Sequence, residues 1–430
     1  MSHPHPISTL SVAALPSRLR LSAENARLFP LLRAITFLLL LLVIPTPAHA
    51  ANLALTRYNS KQYTIYTNLD REEVKEFAAH MDAVFSEYQR RFASFKQRNH
   101  ESPALYLFHT QEQYIEFMAQ HGINAANSGG MFFIQNDLRG LATWTADKSR
   151  VQTFEVLQHE GFHQFAFAYI GPDLPVWLNE GLAQYFEDGI LVNERLVLGM
   201  VNADRLANVR AALAVGKAID FDRLIKISSD QWSKTLATDA EQAALLYDQA
   251  WTVVYFLIHA EGGKYRPAFE QMLVQLSKGR SVDTAFRQAF GTQDTTAFGQ
   301  RWREWVKAAQ PDPLSVAATR MTFLGQAISF LREKKMDVPD SIGDLQRLLA
   351  RVHFVGTRTR HGVTVTFKGS DASFYEYPLP SGKGSAPFQL KRNPAPNAPP
   401  LILAPKLSPV PTLDWIKDAK GQYVSEIRYQ

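Results

Sequence analysis

The amino-acid sequence predicts an α+β protein with a strand-rich N-terminal part, a helical middle part and a small mixed module at the C-terminus. Three observations predict this class. Short segments that alternate apolar and polar side chains occur before residue 145. Apolar residues recur at helical spacing over 148–309, and both patterns return after 310. The chain has 430 residues, enough for two or three domains, so we expect one domain over 51–310 and another over 311–430.

The first fifty residues have the composition of a secretory signal peptide. Four arginines precede an apolar run over 34–44, which is too short to span a bilayer. The A-x-A pattern at 48–50 then matches a signal-peptidase site before Ala51. We therefore expect residues 1–50 to be removed on export, leaving a periplasmic or secreted protein without an integral membrane span. Retention of the segment as an anchor is the alternative.

The composition indicates the cellular compartment and excludes some classes of partner. The chain contains no cysteine, so disulfides and thiolate metal ligands are excluded, and an exported chain of this kind is typical of the bacterial envelope. Without residues 1–50 the chain holds 42 basic and 40 acidic residues. This balance predicts neither nucleic-acid binding nor strong attraction to a membrane surface.

The N-terminal part of the expected first domain contains strand and helix signals in alternation. Asp70 has the position of an N-cap, with Glu73 three residues later in a capping-box pattern, and a helix with regularly spaced apolar residues follows. The segments 130–135 and 140–144 are predicted to pair as a hairpin. Segments with strand character are 61–67, 104–108, 130–135 and 140–144.

Two short segments carry the chemistry. His159 and His163 are four residues apart in a predicted helix over 148–170, so both imidazoles leave the same helix face. Two imidazoles at this spacing can share one zinc ion, and Glu160 borders its open side, where it can deprotonate a water. A catalytic zinc needs a third protein ligand and an open position, and Glu180 is the candidate third ligand. The alternative to a metal site is that the two histidines and Glu160 are ordinary structural residues of a helix packed in the core.

The segment 174–187, with Asn179-Glu180-Gly181 at its centre, resembles the second zinc segment of the gluzincins, in particular the peptidase MA-like group. The resemblance extends over about residues 60–310 and implies a zincin-type catalytic domain, in which a mixed sheet and an active-site helix precede a helical subdomain. It implies Zn²⁺ as the cofactor, Glu160 as the catalytic base, and His159, His163 and Glu180 as the metal ligands. The interval between the second histidine and the glutamate is shorter than in the aminopeptidases proper.

The same resemblance implies further site residues. Tyr247, at the beginning of a later predicted helix, corresponds to a tyrosine that donates a hydrogen bond to the oxyanion, although a half-buried structural tyrosine is equally expected there. Gly129, Gly130 and Met131 resemble the edge strand that lines the cleft, where glycines let a substrate backbone approach. A turn before a buried strand is the alternative.

The helical part and the C-terminal module carry weaker signals. We expect a hairpin of 363–367 with 373–377, an extended proline-rich segment over 394–411, and a strand within 421–429. No catalytic pattern occurs in this module. Three roles stay possible for it: it binds a wall polymer, it positions substrate, or it contacts an envelope partner. Predicted helices lie near 201–216, 240–260, 264–278, 281–290, 295–309, 316–335 and around 345–349.

These patterns predict an exported zinc-dependent peptidase that acts on peptide or protein substrates with Glu160 as general base. Gln184 and Glu187, one and two turns beyond Glu180, are candidates for orienting a metal ligand, or are ordinary helix contacts. An inactive or metal-stabilised envelope scaffold that acts through its C-terminal domain is the alternative. A glycan-directed or amidase-like envelope role is a third hypothesis.

Overall fold

The computed structural model describes residues 54–98, 101–126, 128–360, 363–418 and 421–430. The α+β class is confirmed, with a mixed sheet, many helices and a C-terminal β region. The predicted signal peptide, 1–50, lies outside the described residues.

The N-terminal sheet is mixed and has five strands in the order β1-β2-β3-β5-β4. The pairs β2–β3 and β3–β5 are parallel, whereas β1–β2 and β4–β5 are antiparallel, so the predicted hairpin is confirmed and β4 lies at an edge. The strand predicted over 61–67 is shorter because Ser60 and Asp82 hold its beginning in a turn. The strands are β1 (Thr56–Asn59), β2 (Thr64–Thr67), β3 (Ala104–Phe108), β4 (Gly130–Gln135) and β5 (Leu138–Trp144).

Two long helices cover one face of this sheet, and a third helix continues from the second. The side chain of Asp70 accepts hydrogen bonds from two first-turn N–H groups of α1, so the N-cap prediction is confirmed. Ser149 and Gln152 form a reciprocal capping box that begins α3. The helix α2 was not predicted. The helices are α1 (Arg71–Arg91), α2 (Gln111–Gln120), α3 (Arg150–Tyr169) and α4 (Val176–Glu187).

The middle part of the chain is helical, and its central helix α8 is almost completely buried. Helix α8 ends in a turn with left-handed φ values of 51° at Glu261 and 69° at Gly262. The hairpin of β6 and β7 and the helices α6 and α7 were not predicted. The elements are β6 (Ile190–Val192), β7 (Arg195–Val197), α5 (Ala203–Ala214), α6 (Phe221–Ile225), α7 (Ser229–Thr238), α8 (Ala240–Gly263), α9 (Arg266–Ser277), α10 (Val282–Phe290) and α11 (Thr295–Ala308).

The C-terminal part packs a helix pair against small antiparallel sheets. Its largest sheet has the order β12-β13-β14-β15, so the strand predicted within 421–429 is confirmed. Within the described ranges, α12 is long and apolar enough to cross a membrane, and its buried side chains form part of this core. The elements are α12 (Pro313–Glu333), α13 (Ile342–Arg351), β8 (Val355–Arg360), β9 (Val363–Lys368), β10 (Glu376–Pro378), β11 (Ser385–Pro387), β12 (Gln389–Lys391), β13 (Leu401–Leu403), β14 (Pro411–Lys417) and β15 (Tyr423–Tyr429).

The hairpin predicted between 363–367 and 373–377 is wrong. Strand β9 pairs with β8 on its N-terminal side instead, with Val363 opposite Arg360. Residues 372–375 form a 3₁₀ turn because the side chain of Asp371 accepts the N–H of Ser373. The proline-rich segment 394–411 is extended only in part, where it supplies β13 and the first residue of β14.

The buried apolar side chains form three clusters. One lies within 63–306 and joins α1, α3, α4 and α8. A second, within 106–144, packs α2 on the other face of the sheet. The third lies entirely within 317–415. The clusters are compatible with the predicted division of the chain at 310, which stays a prediction.

Candidate metal centre

Helices α3 and α4 bring the three predicted metal ligands together. His159 Nε2 lies 3.3 Å from Glu180 Oε2, and His163 Nε2 lies 3.7 Å from the same oxygen. The candidate ligand atoms all lie within 4.8 Å of one another. The two imidazoles leave one face of α3, as their spacing predicts, and their rings are inclined at 81° to each other.

A glycine next to the third ligand allows the close packing that places it. Helix α4 lies between α3 and α8. A Cβ at Gly181 would lie 2.7 Å from the carbonyl oxygen of Ala250 in α8, a contact that real Cβ atoms essentially never make. Because this backbone contact cannot yield as a flexible side chain does, the glycine lets α4 approach α8. Glu180 then faces α3 from the other side of the helix.

The donor set fits a zinc ion. Zinc binds histidine nitrogen and carboxylate oxygen at about 2.0–2.2 Å, and two tetrahedral ligands at such distances are about 3.3–3.6 Å apart. The observed separations are 3.3 and 3.7 Å. Within the described part of the chain, His159 Nε2 and Glu180 Oε2 are buried and make no hydrogen bond. Buried polar atoms are normally satisfied, so both atoms have the surroundings expected of metal ligands.

The charges of the cluster also favour a cation. Burial raises the pKa of Glu180, but the imidazoles of His163 and His159 outweigh it and lower this pKa to about 2. Burial lowers the pKa of His159, but the carboxylates of Glu180 and Glu187 outweigh it and raise this pKa to about 10. Carboxylates that can hold a proton on a buried imidazole form a charge pattern that attracts a divalent cation.

Glu160 lies beside the cluster and is held by the sheet. Its Oε2 accepts a hydrogen bond of 2.9 Å from the main-chain N–H of Phe132 in β4. Burial raises the pKa of Glu160, while the nearby His163 and His159 act to lower it. A carboxylate with a raised pKa is better suited to accept a proton from water near neutral pH. Phe132 was not predicted as a site residue, because the sequence did not show which N–H would face α3.

The predicted cleft residues have structural contacts of their own. A Cβ at Gly130 would lie 2.5 Å from Val156 Cγ1, so this glycine lets β4 approach α3. The carbonyl of Gly129 accepts hydrogen bonds from Thr143 Oγ1 and the Lys148 ammonium. The Met131 side chain is buried in the cluster on the far face of the sheet. These residues fix the position of the edge strand, and only main-chain atoms are suitable for contact with substrate.

Tyr247 lies in the first half of α8 and is buried. Its ring packs edge-on against Trp232, with the ring centroids 5.2 Å apart. Burial, followed by the negative charge of Glu180, raises the pKa of Tyr247 well above its ordinary value. The phenol is therefore protonated at neutral pH and can act as a hydrogen-bond donor.

Of the two residues expected to orient a ligand, Glu187 contacts one directly. Glu187 Oε2 lies 2.9 Å from His159 Nδ1, the nitrogen that faces away from the cluster. Its Oε1 accepts a hydrogen bond of 2.8 Å from Arg205 Nη2. Gln184 does not contact a ligand in the described contacts, and its Oε1 accepts a close hydrogen bond from Arg205 Nη1. Both residues therefore contact Arg205, a buried arginine that no sequence pattern indicated as a site residue.

The residue before the first histidine ties α3 to the end of α4. Gln158 Nε2 donates a hydrogen bond of 2.6 Å to the carbonyl of Phe186, and Gln158 Oε1 lies 2.9 Å from His80 Nε2. His80 also stacks on Phe154, with ring centroids 3.8 Å apart. These contacts fix the axial position of α3 relative to α4 and hence the separation of the candidate ligands.

Comparison with known proteins adds one match. A family described as "Protein of unknown function (DUF1570)" matches residues 153–283. No curated protein matches the chain. The matched stretch runs from α3 to the first residues of α10, so it contains His159, His163, Glu180, Glu160 and Tyr247. The chain is therefore similar to this family over the three candidate ligands, Glu160 and Tyr247, whereas strand β4 lies outside the match.

Proposed function

We propose that this protein is an exported zinc-dependent peptidase that hydrolyses peptide bonds. One observation carries the proposal: His159, His163 and Glu180 place three ligand atoms at zinc-binding separations, two of them on buried residues and one on the half-buried His163, with the carboxylate of Glu160 beside the cluster. A structural zinc site is usually closed by four protein ligands, whereas three ligands leave a position for water or substrate. A neighbouring carboxylate with a raised pKa has a role only in such an open site.

The residues of the site supply complementary parts of the reaction. His159, His163 and Glu180 would hold the zinc ion, which when bound would supply Lewis acidity to lower the pKa of a water molecule and to polarise a substrate carbonyl. Glu160 accepts the proton of the attacking water as the C–O bond forms, and delivers it to the amine nitrogen as the C–N bond breaks. The hydrogen bond from Phe132 fixes the orientation of Glu160 during both transfers.

Tyr247 is the proposed oxyanion donor. Its phenol stays protonated in the field of Glu180, so it can donate a hydrogen bond to negative charge that develops on the substrate oxygen. Strand β4 is the proposed track for an extended peptide, because it lies at the edge of the sheet and an edge strand offers main-chain groups for pairing. The substrate class is therefore a peptide or a protein in extended conformation.

The proposed location is the periplasm or the exterior of a bacterial cell. This part of the proposal rests on the signal-peptide pattern of 1–50 and on the absence of cysteine. A balanced charge in the remaining chain gives no reason to propose nucleic acid as a partner. An envelope partner that binds the C-terminal module remains a further part of the proposal.

Hydrolysis of casein and of a peptide library by the purified protein tests the activity. We expect cleavage that is abolished by a chelator, restored by zinc, and reduced by at least about 10²-fold in Glu160→Gln with zinc content unchanged. Glu241→Gln is the matched control, because Glu241 is exposed at the beginning of α8 and pairs only with the exposed Lys217 in the described contacts. It should cleave at the wild-type rate.

The same experiment distinguishes the alternative of a metal-stabilised scaffold. A protein that binds one zinc ion but cleaves none of the substrates would contradict the peptidase proposal and support the scaffold. Cleavage that survives in Glu160→Gln would contradict the role of this carboxylate. If the protein cleaves no peptide but releases sugars from cell wall, or hydrolyses its amide bonds, the glycan-directed or amidase-like hypothesis is supported.

A further inference from the structure

The C-terminal part of the chain reaches the candidate metal centre through strand β8. Arg358 and Arg360 are two residues apart and therefore leave the same side of the strand. The guanidinium of Arg358 pairs closely with Asp204 in α5, and that of Arg360 pairs closely with Asp248 in α8. Both pairs join the C-terminal part to the helical part, but only one of them leads towards the metal ligands.

Asp248 is connected to His159 by a continuous chain of charged side chains. Arg205 Nη1 lies 3.4 Å from Asp248 Oδ1, the same oxygen that Arg360 contacts. Arg205 Nη2 donates to Glu187 Oε1 at 2.8 Å, and Glu187 Oε2 lies 2.9 Å from His159 Nδ1. The order of contacts is therefore arginine, carboxylate, arginine, carboxylate and imidazole.

The balance of charge around Arg205 explains why a second arginine matters. The side chain of Arg205 is 1% exposed and is shared by the carboxylates of Glu187, Asp188 and Asp248. One guanidinium cannot neutralise three buried carboxylates. Asp248, at 5% side-chain exposure, is the most buried of the three, and Arg360 supplies a second cation to it at the oxygen that faces Arg205.

The distances indicate what this neutralisation does. Arg205 is close to Glu187, at 2.8 Å, and more distant from Asp248, at 3.4 Å. An Asp248 carboxylate without Arg360 would attract the Arg205 guanidinium more strongly, because buried charges interact in a low dielectric. Arg205 would then move away from Glu187, and the hydrogen bond that orients the His159 ring would weaken.

We infer that Arg360 is a positioning residue of the metal centre: by neutralising Asp248 it leaves Arg205 free to hold Glu187 against His159. The inference rests on the proposed metal site and adds to it a contribution from the C-terminal part of the chain. On this account the C-terminal module, whatever else it binds, stabilises the coordination geometry of a site more than a hundred residues earlier in the sequence.

Titration of the full-length protein with Co²⁺ tests the inference, with affinity and the visible absorption spectrum as readouts. Partners of metal-bound histidines typically contribute 10–100-fold in affinity. Arg360 acts on Glu187 only through Asp248 and Arg205, so we expect Arg360→Ala to weaken Co²⁺ binding less, by about 3–10-fold, and to change the absorption band. Arg358→Ala is the matched control, because it removes a neighbouring arginine and a contact between the same two parts of the chain. It should change the affinity by less than about 2-fold.

A double variant separates positioning from simple attachment. In Arg360→Ala/Asp248→Asn the competing charge is absent, so Arg205 should stay on Glu187 and Co²⁺ affinity should return to within about 2-fold of wild type. The double variant also removes the buried Asp248 charge, which in Arg360→Ala would keep only Arg205 and Asn208 as partners, so it should fold even if Arg360→Ala alone does not.

The outcomes are distinct. Equal Co²⁺ affinity in the wild type and Arg360→Ala would overturn the inference while the proposed metal site stands. A similar loss in Arg358→Ala, or no recovery in the double variant, would also overturn it, because either result means that only attachment of the C-terminal part matters. Failure of the wild-type protein to bind Co²⁺ would contradict the metal site itself, and the inference with it.

Discussion

Replacement of Glu187 by alanine should weaken zinc binding without removing a metal ligand. The variant Glu187→Ala deletes the acceptor that lies 2.9 Å from His159 Nδ1. Without it the ring of His159 loses both its fixed orientation and the carboxylate that makes its other nitrogen a stronger donor. The other two proposed ligands, His163 and Glu180, stay in place, so the site should still bind zinc.

The magnitude follows from the contacts of Glu187. Loss of a carboxylate that orients a metal-bound histidine typically costs 10–100-fold in affinity, which is about 1.4–2.7 kcal/mol. Arg205 would lose its 2.8 Å contact with Glu187 but keep Asp188 at 3.1 Å. The buried guanidinium therefore remains paired, and we expect the metal-free fold to lose only about 1–3 kcal/mol of stability.

Competition with a coloured zinc chelator measures the affinity, and urea unfolding in excess chelator measures the stability of the metal-free fold. Glu187→Gln should be intermediate, because an amide oxygen can still accept one hydrogen bond but carries no charge. Glu241→Ala, at an exposed site, should match the wild type. A zinc affinity of Glu187→Ala within about 2-fold of wild type would refute the orienting role.

Three further predictions address other parts of the account. Gly181→Ala should destabilise the fold by about 2–4 kcal/mol in urea unfolding, because its Cβ would collide with the Ala250 carbonyl, and an unchanged midpoint would contradict this. Tyr247→Phe should lower kcat by about 10–10³-fold and leave KM nearly unchanged, whereas equal rates would exclude its hydroxyl from the reaction. Burial lowers the pKa of His80 from 6.5 to about 4, so the unfolded chain binds this proton first as pH falls. The contribution of a neutral His80 to the free energy of unfolding is therefore fully present above pH 6.5 and is lost as the pH falls to 4, by at most about 3 kcal/mol. In His80→Gln the free energy of unfolding should depend less on pH between 6.5 and 4.

The local part of the candidate site could be predicted from the sequence because it depends on helical geometry. A spacing of four residues puts His159 and His163 on one face of any helix, and the capped apolar stretch around them indicated a helix. The candidate third ligand, Glu180, and Glu187 could also be predicted, because they lie in one helix, where the spacing of two residues determines the relative direction of their side chains. The resemblance to a known family supplied the connection between the two segments.

Features that depend on distant partners could not be predicted. The sequence of β8 is polar and contains a glycine, so it does not show a strand pattern. The strand forms because β9 pairs with it and Gly356 fits against Phe323. The alternation of β9 was visible in the sequence, but its partner was not, so the wrong hairpin was predicted. The buried Arg205 is similar: its carboxylate partners come from α4, α8 and the residue after α4, and no local pattern indicates that they meet.

An anomalous difference map at the zinc absorption edge, from crystals of the protein grown with zinc, tests the central claim most directly. We predict one strong peak within about 2.0–2.2 Å of His159 Nε2, His163 Nε2 and a Glu180 oxygen, with a fourth position open to solvent. A map without a peak between these three side chains, or with zinc held by four protein ligands, would contradict the account.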